Sequence, residues 1–218
     1  MNILVIDIGG TNVKVWKTGE GDKEKFPSRK KLTPQKLVDG VKEVAADWKF
    51  DRVSIGYPGE VRNGHPTADP YNLADGWVDF DYAKAFGCAV RIMNDACMQA
   101  LGSYEGGRML YLGLGTSLGC TYIFDSTIIP LALGHLKLHG DKTFEDCLNR
   151  KALDHDGVER WQKRVVEAAA ELKAAFLADY IVLGGGNAKE IEELPEGCRR
   201  GGNQNAYFGG LRIWEDAK

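Results

Sequence analysis

Apolar residues along this chain fall into short continuous stretches, each closed by a glycine-rich or charged turn. Ile3 to Asp7, Val13 to Thr18, Arg52 to Tyr57, Val90 to Met93, Met109 to Leu114, Cys120 to Phe124 and Tyr180 to Leu183 read as strands. Between them the apolar period lengthens to that of a helix. Thr33-Pro34 combines an N-cap with a first-turn proline, and Leu37, Val41, Val44, Ala45 and Trp48 fall on one face. From Asp156 to Asp179, the positions Val158, Trp161, Val165, Ala169, Leu172 and Phe176 predict one long amphipathic helix with its aromatics in the core. The order strand, glycine turn, strand occurs near Asp7 and again from Met109 to Phe124, each followed later by helix. Two related α/β lobes are expected, residues 1–94 plus 205–218 and residues 95–204.

The turns carry the candidate chemistry. Asp7-Ile8-Gly9-Gly10-Thr11 closes the first strand with a carboxylate, two glycines and a hydroxyl. Glycine lets backbone amides approach a phosphate closely, Thr11 adds a donor, and Asp7 could hold a hydrated magnesium ion beside that phosphate. Gly113-Leu114-Gly115-Thr116-Ser117-Leu118-Gly119 repeats the arrangement, so the two hairpins are expected to grip the two ends of one phosphate chain. Gly184-Gly185-Gly186 follows a third apolar strand, where a base or a further phosphate could lie on bare backbone. Between the hairpins, Asn94-Asp95 ends a strand where a helix through Met98, Leu101 and Tyr104 should begin. Asp95 either caps that helix or serves as a general base whose substrate hydroxyl Asn94 orients. The flanking hairpins favour the base.

Composition narrows the function classes. With 218 residues and 44% hydrophobic content the chain can bury a real core, and a net charge of −3 from 28 basic and 31 acidic residues gives no global field for nucleic acid or anionic membrane. Five scattered cysteines without a Cys-x-x-Cys pair disfavour a disulfide framework and a structural zinc site. No apolar run reaches the ~20 residues that span a bilayer. A soluble, cytoplasmic protein is expected. The basic group Arg160, Lys163 and Arg164 reads as the solvated face of the long helix, with a polyphosphate track as its alternative. His65, His139 and His155 read as surface residues.

Taken in order, Asp7-x-Gly9-Gly10-Thr11, Gly56-Tyr57-Pro58-Gly59, Asn94-Asp95-Ala96, Gly115-Thr116-x-x-Gly119, Gly134-His135 and Gly184-Gly185-Gly186 resemble the ROK family of sugar kinases (repressors, open reading frames, kinases) within the actin-like ATPase superfamily. The nearest resemblance is to the short, zinc-free polyphosphate glucokinases. It implies a two-lobed actin-like ATPase (ribonuclease H-like) fold, mixed sheets flanked by helices, and transfer of a phosphoryl group from ATP or polyphosphate to a hexose hydroxyl. It further implies Asp95 as base, Mg2+ on the donor near Asp7, and donor contacts from Gly9, Gly10, Thr11, Lys14, Gly115, Thr116, Ser117, Gly184, Gly185 and Gly186. Gly59, Asn72, Asn94, Asp95 and His135 are the implied sugar contacts, and a homodimer is the implied assembly. The chain departs from the pattern at Ala132, which stands where the family has a sugar-binding Glu, at Lys137, where polyphosphate glucokinases often have another, and at Ser117, a usual Gly. These departures predict poor use of plain glucose and preference for an anionic or modified acceptor, unless Glu145 or Asp146 supplies the missing carboxylate. A non-catalytic sugar or nucleotide sensor of the same fold is the alternative.

Overall fold

The computed structural model describes residues 1–19, 23–202 and 204–215. The chain divides into two compact units, Met1–Gly102 with Ala206–Lys218 and Ser103–Asn205. Residues 216–218 of the first expected lobe lie outside the described residues.

In the first unit, β1 (Ile3–Ile8) is buried along its whole length, as a strand covered on both faces must be. It pairs antiparallel with β2 (Asn12–Lys17), which continues to the edge strand β3 (Glu24–Pro27). Helix α1 (Pro34–Val44) follows. The Thr33 side chain accepts from the Lys36 amide, and Leu37, Val38 and Val41 are buried. Val44 is the last helical residue, so Trp48 lies beyond the helix whose face it was expected to share. β4 (Arg52–Tyr57) returns parallel to β1 with Asp7 opposite Gly56. A small hairpin, β5 (Val61–Arg62) and β6 (His65–Pro66), and the short α2 (Tyr82–Phe86) lead to β7 (Ala89–Asn94) and then α3 (Asp95–Ser103). The sheet order is β3-β2-β1-β4-β7.

The second unit repeats this plan. β8 (Met109–Leu114), β9 (Leu118–Phe124) and β10 (Thr127–Leu131) form a meander. The hairpin β11 (Lys137–His139) with β12 (Lys142–Thr143) and helices α4 (Phe144–Leu148), α5 (Arg150–Asp156) and α6 (Val158–Ala175) come next. β13 (Tyr180–Gly184) and β14 (Cys198–Arg200) then add parallel strands, in the order β10-β9-β8-β13-β14. Gly113 on β8 faces Gly184 on β13, the position that Asp7 and Gly56 hold in the first unit.

The predicted helix over Asp156–Asp179 is two helices. Gly157, at φ 79°, ends α5 and begins α6, and Phe176 is the C-cap. Within α6 the stripe Trp161, Val165, Ala169 and Leu172 is buried as expected, whereas Val158 is exposed. Arg164 is not on a solvated face: it pairs with Asp156, which Arg160 also approaches at 4.0 Å, so the α6 cations are largely spent on one carboxylate.

The C-terminal helix α7 (Asn205–Arg212) packs on the first sheet through glycine. A Cβ on Gly209 would stand 1.8 Å from the Met98 carbonyl of α3, and one on Gly210 would stand 2.4 Å from Val5. The Trp214 indole then donates to Ser54 at 2.8 Å, and Arg52 and Arg91 lie over its ring at 4.9 and 4.5 Å. Close backbone approach thus locks α3, and with it Asp95 at its start. No helix among the described residues is long and apolar enough to cross a membrane.

Candidate functional site

The first hairpin turns from Ile8 to Val13 through Gly9, Gly10, Thr11 and Asn12. The Gly9 amide donates to the carbonyls of Asp7 and Asn12 at 3.2 and 3.1 Å, and a Cβ at Gly9 would meet the Asn12 carbonyl at 3.0 Å. Gly9 is therefore there for close approach rather than for a left-handed φ. Gly10 and Thr11 are exposed at the tip. Asp7 is 2% exposed; its Oδ2 accepts from Lys14 Nζ at 2.9 Å, while Oδ1 is buried without a partner.

Asp95 is the first residue of α3, half-buried, and its Oδ1 accepts from the Ala96 amide at 2.8 Å. Burial, reinforced by the Asp7 carboxylate, raises its carboxyl from the ordinary 3.8 to about 7; the Ala96 hydrogen bond and Lys14 pull in the opposite direction. The helix is capped by its neighbour. Asn94 Oδ1 accepts from the amides of Ala96 and Cys97 at 3.0 and 3.2 Å, and its Nδ2 donates to the Gly59 carbonyl at 3.1 Å. Asn94 thus ties Gly59 to the start of α3, and Asp95 keeps an oxygen that the cap does not use.

Asn72 is exposed in a turn, Pro70 to Leu73, closed by the Leu73 amide on the Pro70 carbonyl. The loop beneath it is stiff. Asp69 Oδ1 accepts from the amides of Gly76 and Trp77, Trp77 is fully buried, and Tyr57 donates to the Ala68 carbonyl at 2.7 Å.

In the second unit the hairpin from Leu114 to Leu118 presents Gly115, half-buried, with Thr116 and Ser117 exposed. Its Gly115 carbonyl accepts from Asn187 Nδ2 at 3.1 Å and from the Arg150 amide at 2.8 Å. Glu145 Oε2 takes the Leu118 amide at 2.7 Å. Asn187, 4% exposed, carried no motif in the sequence; only its place directly after three glycines marked it. Gly184 and Gly185 have internal reasons to be glycine. A Cβ on Gly184 would lie 2.2 Å from the Tyr111 hydroxyl, and Gly185, at φ 80°, would press 2.4 Å from the Leu114 carbonyl. Gly184 is buried, so Gly185 and Gly186 are the members of that cluster open to solvent.

His135 is exposed on a short 3-10 turn, Leu133–His135. Lys137 is paired with Asp141 at 2.8 Å and 69% exposed, which removes it as a cation poised over an acceptor: the i, i+4 spacing across the tight hairpin directs it outward. Asp146 is committed to the capping box of α4, accepting from both Thr143 groups. Glu145 lies against Gly134, where a Cβ would stand 3.4 Å from its Oε2. Burial raises the thiols of Cys88, Cys120, Cys147 and Cys198, Cys120 to about 12, so these four are poor nucleophiles at neutral pH. Among the described residues no three His, Cys, Asp or Glu side chains converge as a metal site.

No protein-family model matches the chain, and no curated protein sequence matches it. Among solved structures, the inorganic polyphosphate/ATP-glucomannokinase from Arthrobacter sp. strain KM superposes with a TM-score of 0.81 at 23% identity, covering 97% of each chain. The ROK hexokinase from Thermus thermophilus gives 0.67 at 21% identity over 96% of each chain. A ROK family glucokinase from Streptomyces griseus, in complex with glucose and AMPPNP, gives 0.73 at 17% identity, covering 98% of this chain and 99% of that one. The likeness establishes the fold: mixed α/β, in the actin-like ATPase arrangement of these kinases, as the resemblance implied.

Proposed function

We propose that the protein is a sugar kinase, transferring the terminal phosphoryl group of ATP or polyphosphate to a hexose-type hydroxyl. One observation carries the reading: Asp95, locked by α7, half-buried beside Asp7, with its carboxyl at about 7. A base poised near operating pH accepts a proton well, and such a group is worth roughly 10² to 10⁴ in rate. As the sugar oxygen bonds to phosphorus and the bond to the leaving phosphate breaks, the hydroxyl proton passes to Asp95. Asn94, spent on the cap and on Gly59, positions Asp95 and the Gly59 loop rather than reaching for substrate first.

The first hairpin offers Gly9, Gly10, Thr11 and Lys14 to phosphate, and the second offers Gly115, Thr116 and Ser117, with Gly185 and Gly186 beside it. Catalysis of this kind is mainly positioning and charge stabilisation. Asp7 suits a hydrated Mg2+, since its buried Oδ1 has no protein partner and this ion keeps several waters when it binds one or two carboxylates. When bound, the ion neutralises charge developing on the transferred phosphoryl group. Asn72, His135 and Glu145 are the acceptor contacts we assign, Glu145 standing in for the carboxylate missing at Ala132. A cytoplasmic homodimer accompanies this reading.

The alternative, a sensor that binds without turnover, draws support from Ala132 alone. A coupled assay across neutral, acylated and acidic sugars, with ATP and polyphosphate as donors, separates the two. Turnover that disappears in Asp95→Asn is expected; saturable sugar binding with no turnover from either donor would establish the sensor.

A further inference from the structure

We propose that the turn after β3, Ser28-Arg29-Lys30-Lys31, extends the first phosphate hairpin into a track for a linear phosphate chain, making long inorganic polyphosphate the preferred donor. The inference rests on the kinase reading for the role of donor, while chain binding itself rests on the geometry of this turn.

The Ser28 amide donates to the Thr11 carbonyl at 2.9 Å, so the turn is fastened directly to the tip of the phosphate hairpin. Ser28 is 8% exposed, and its hydroxyl is buried without a hydrogen-bond partner. A buried hydroxyl left unpaired costs stability, and its place beside Thr11 gives it a use as a donor to an anion at the hairpin. The three cations that follow are all exposed, and among the described residues none of them forms an ion pair. The Leu32 amide closes the turn on the Arg29 carbonyl at 2.8 Å, and Lys36 Nζ reaches the Lys31 carbonyl at 3.3 Å, adding a fourth cation. Three residues span at most about 11 Å, so these charges are confined close to the hairpin. Like charges crowded on one tight turn repel, and a polyanion laid along them relieves that repulsion.

The other basic group that could serve as such a track, on α6, is different. There Arg160 and Arg164 face Asp156, so little charge is left for a ligand. On the far side the turn is tied by the Ala74 amide to the loop of Asn72, through the Leu32 carbonyl at 3.2 Å. The free cations therefore lie along the backbone between a phosphate hairpin and an acceptor loop. A nucleoside triphosphate has only three phosphates to spend. A long chain gains from each added cation, so affinity rises with chain length.

The test uses the full chain and calorimetric binding of two probes, tripolyphosphate and long-chain polyphosphate, at two salt concentrations. The wild type should bind the long chain at least about tenfold more tightly, with the difference shrinking steeply in salt, as counterion-driven binding does. The combined Arg29→Gln, Lys30→Gln, Lys31→Gln variant should lose that difference. Ser28→Ala should weaken both probes without lowering thermal stability, because it removes a hydroxyl that has no partner. Equal affinity for the two probes in the wild type, or a triple variant indistinguishable from it, overturns the proposal. So does equal binding of a single-stranded oligonucleotide of matching length, or an effect of the triple variant confined to the KM of acidic sugars. If the long chain binds as expected but no sugar is phosphorylated from either donor, the kinase reading fails and the track stands. Turnover with ATP and no chain-length effect is the reverse.

Discussion

Replacing Asp95 with Asn should abolish turnover and at the same time make the protein more stable, but only at neutral to alkaline pH. Moving the carboxyl from 3.8 to about 7 costs its ionised form about 4 kcal/mol in the folded state. Because Asp95 is half-buried and water screens part of this, about 2 kcal/mol is the expected effect. The sign follows from proton binding. Between about pH 4 and 7 the folded chain holds a proton that the unfolded chain has released, so stability falls as pH rises through that window. Asn cannot ionise, yet its side-chain oxygen can still take the Ala96 amide that Asp95 Oδ1 accepts at 2.8 Å. The variant should therefore match the wild type below pH 4 and exceed it above pH 7, by about 4–8 °C in Tm for a chain of this size. Thermal unfolding across pH 4 to 8, beside a coupled kinase assay, measures both halves. A stability gain that does not vary with pH, or wild-type turnover in the variant, would refute the placement of a strained, poised base at this position.

Other substitutions probe the surrounding parts. In the wild type, kcat/KM should fall with unit slope below a pH of about 7, following the Asp95 carboxyl; a profile flat from pH 5 to 8 speaks against it. Gly185→Ala, forced to φ 80° with its Cβ against the Leu114 carbonyl, should cost about 2 kcal/mol or more in urea unfolding; an unchanged midpoint would show that the turn relaxes freely. Glu145→Gln weakens the charged acceptor of the Leu118 amide, worth about 1.5–3 kcal/mol as a charge-assisted bond, and should raise KM for donor and acceptor alike, whereas Asp146→Asn should leave both unchanged. Ala132→Glu should raise glucose kcat/KM by about tenfold or more if the missing carboxylate limits the acceptor; no gain would mean that Glu145 already suffices.

What the sequence revealed and what it concealed have a common physical origin. Strands such as Arg52–Tyr57 and Met109–Leu114 were legible to the residue because burial on both faces demands an unbroken apolar run. Edge strands do not meet that demand. Glu24–Pro27 and Thr127–Leu131 are largely exposed, so nothing in their pattern distinguished them from loops. The long helix was misjudged at Gly157, where the apolar stripe of α6 has no counterpart on the exposed Val158 and a left-handed glycine starts a new axis. Within the candidate site, motifs identified the residues but not their duties. Gly-Gly-Gly at 184–186 reads as ligand-facing backbone, yet Tyr111 and the Leu114 backbone account for two of the three, because tertiary contacts set the space at each Cβ. Asn94 and Asp95 divide between them the two roles that sequence assigns to either, cap and free carboxylate, and the choice depends on which oxygen reaches the Ala96 and Cys97 amides. The paired topology sharpens this division. Asp7 faces Gly56 in one sheet and Gly113 faces Gly184 in the other, so the same register position carries a carboxylate in one unit and bare backbone in its counterpart. A repeated scaffold with its acids confined to one copy leaves the other copy free of the negative charge that would repel a chain of phosphates.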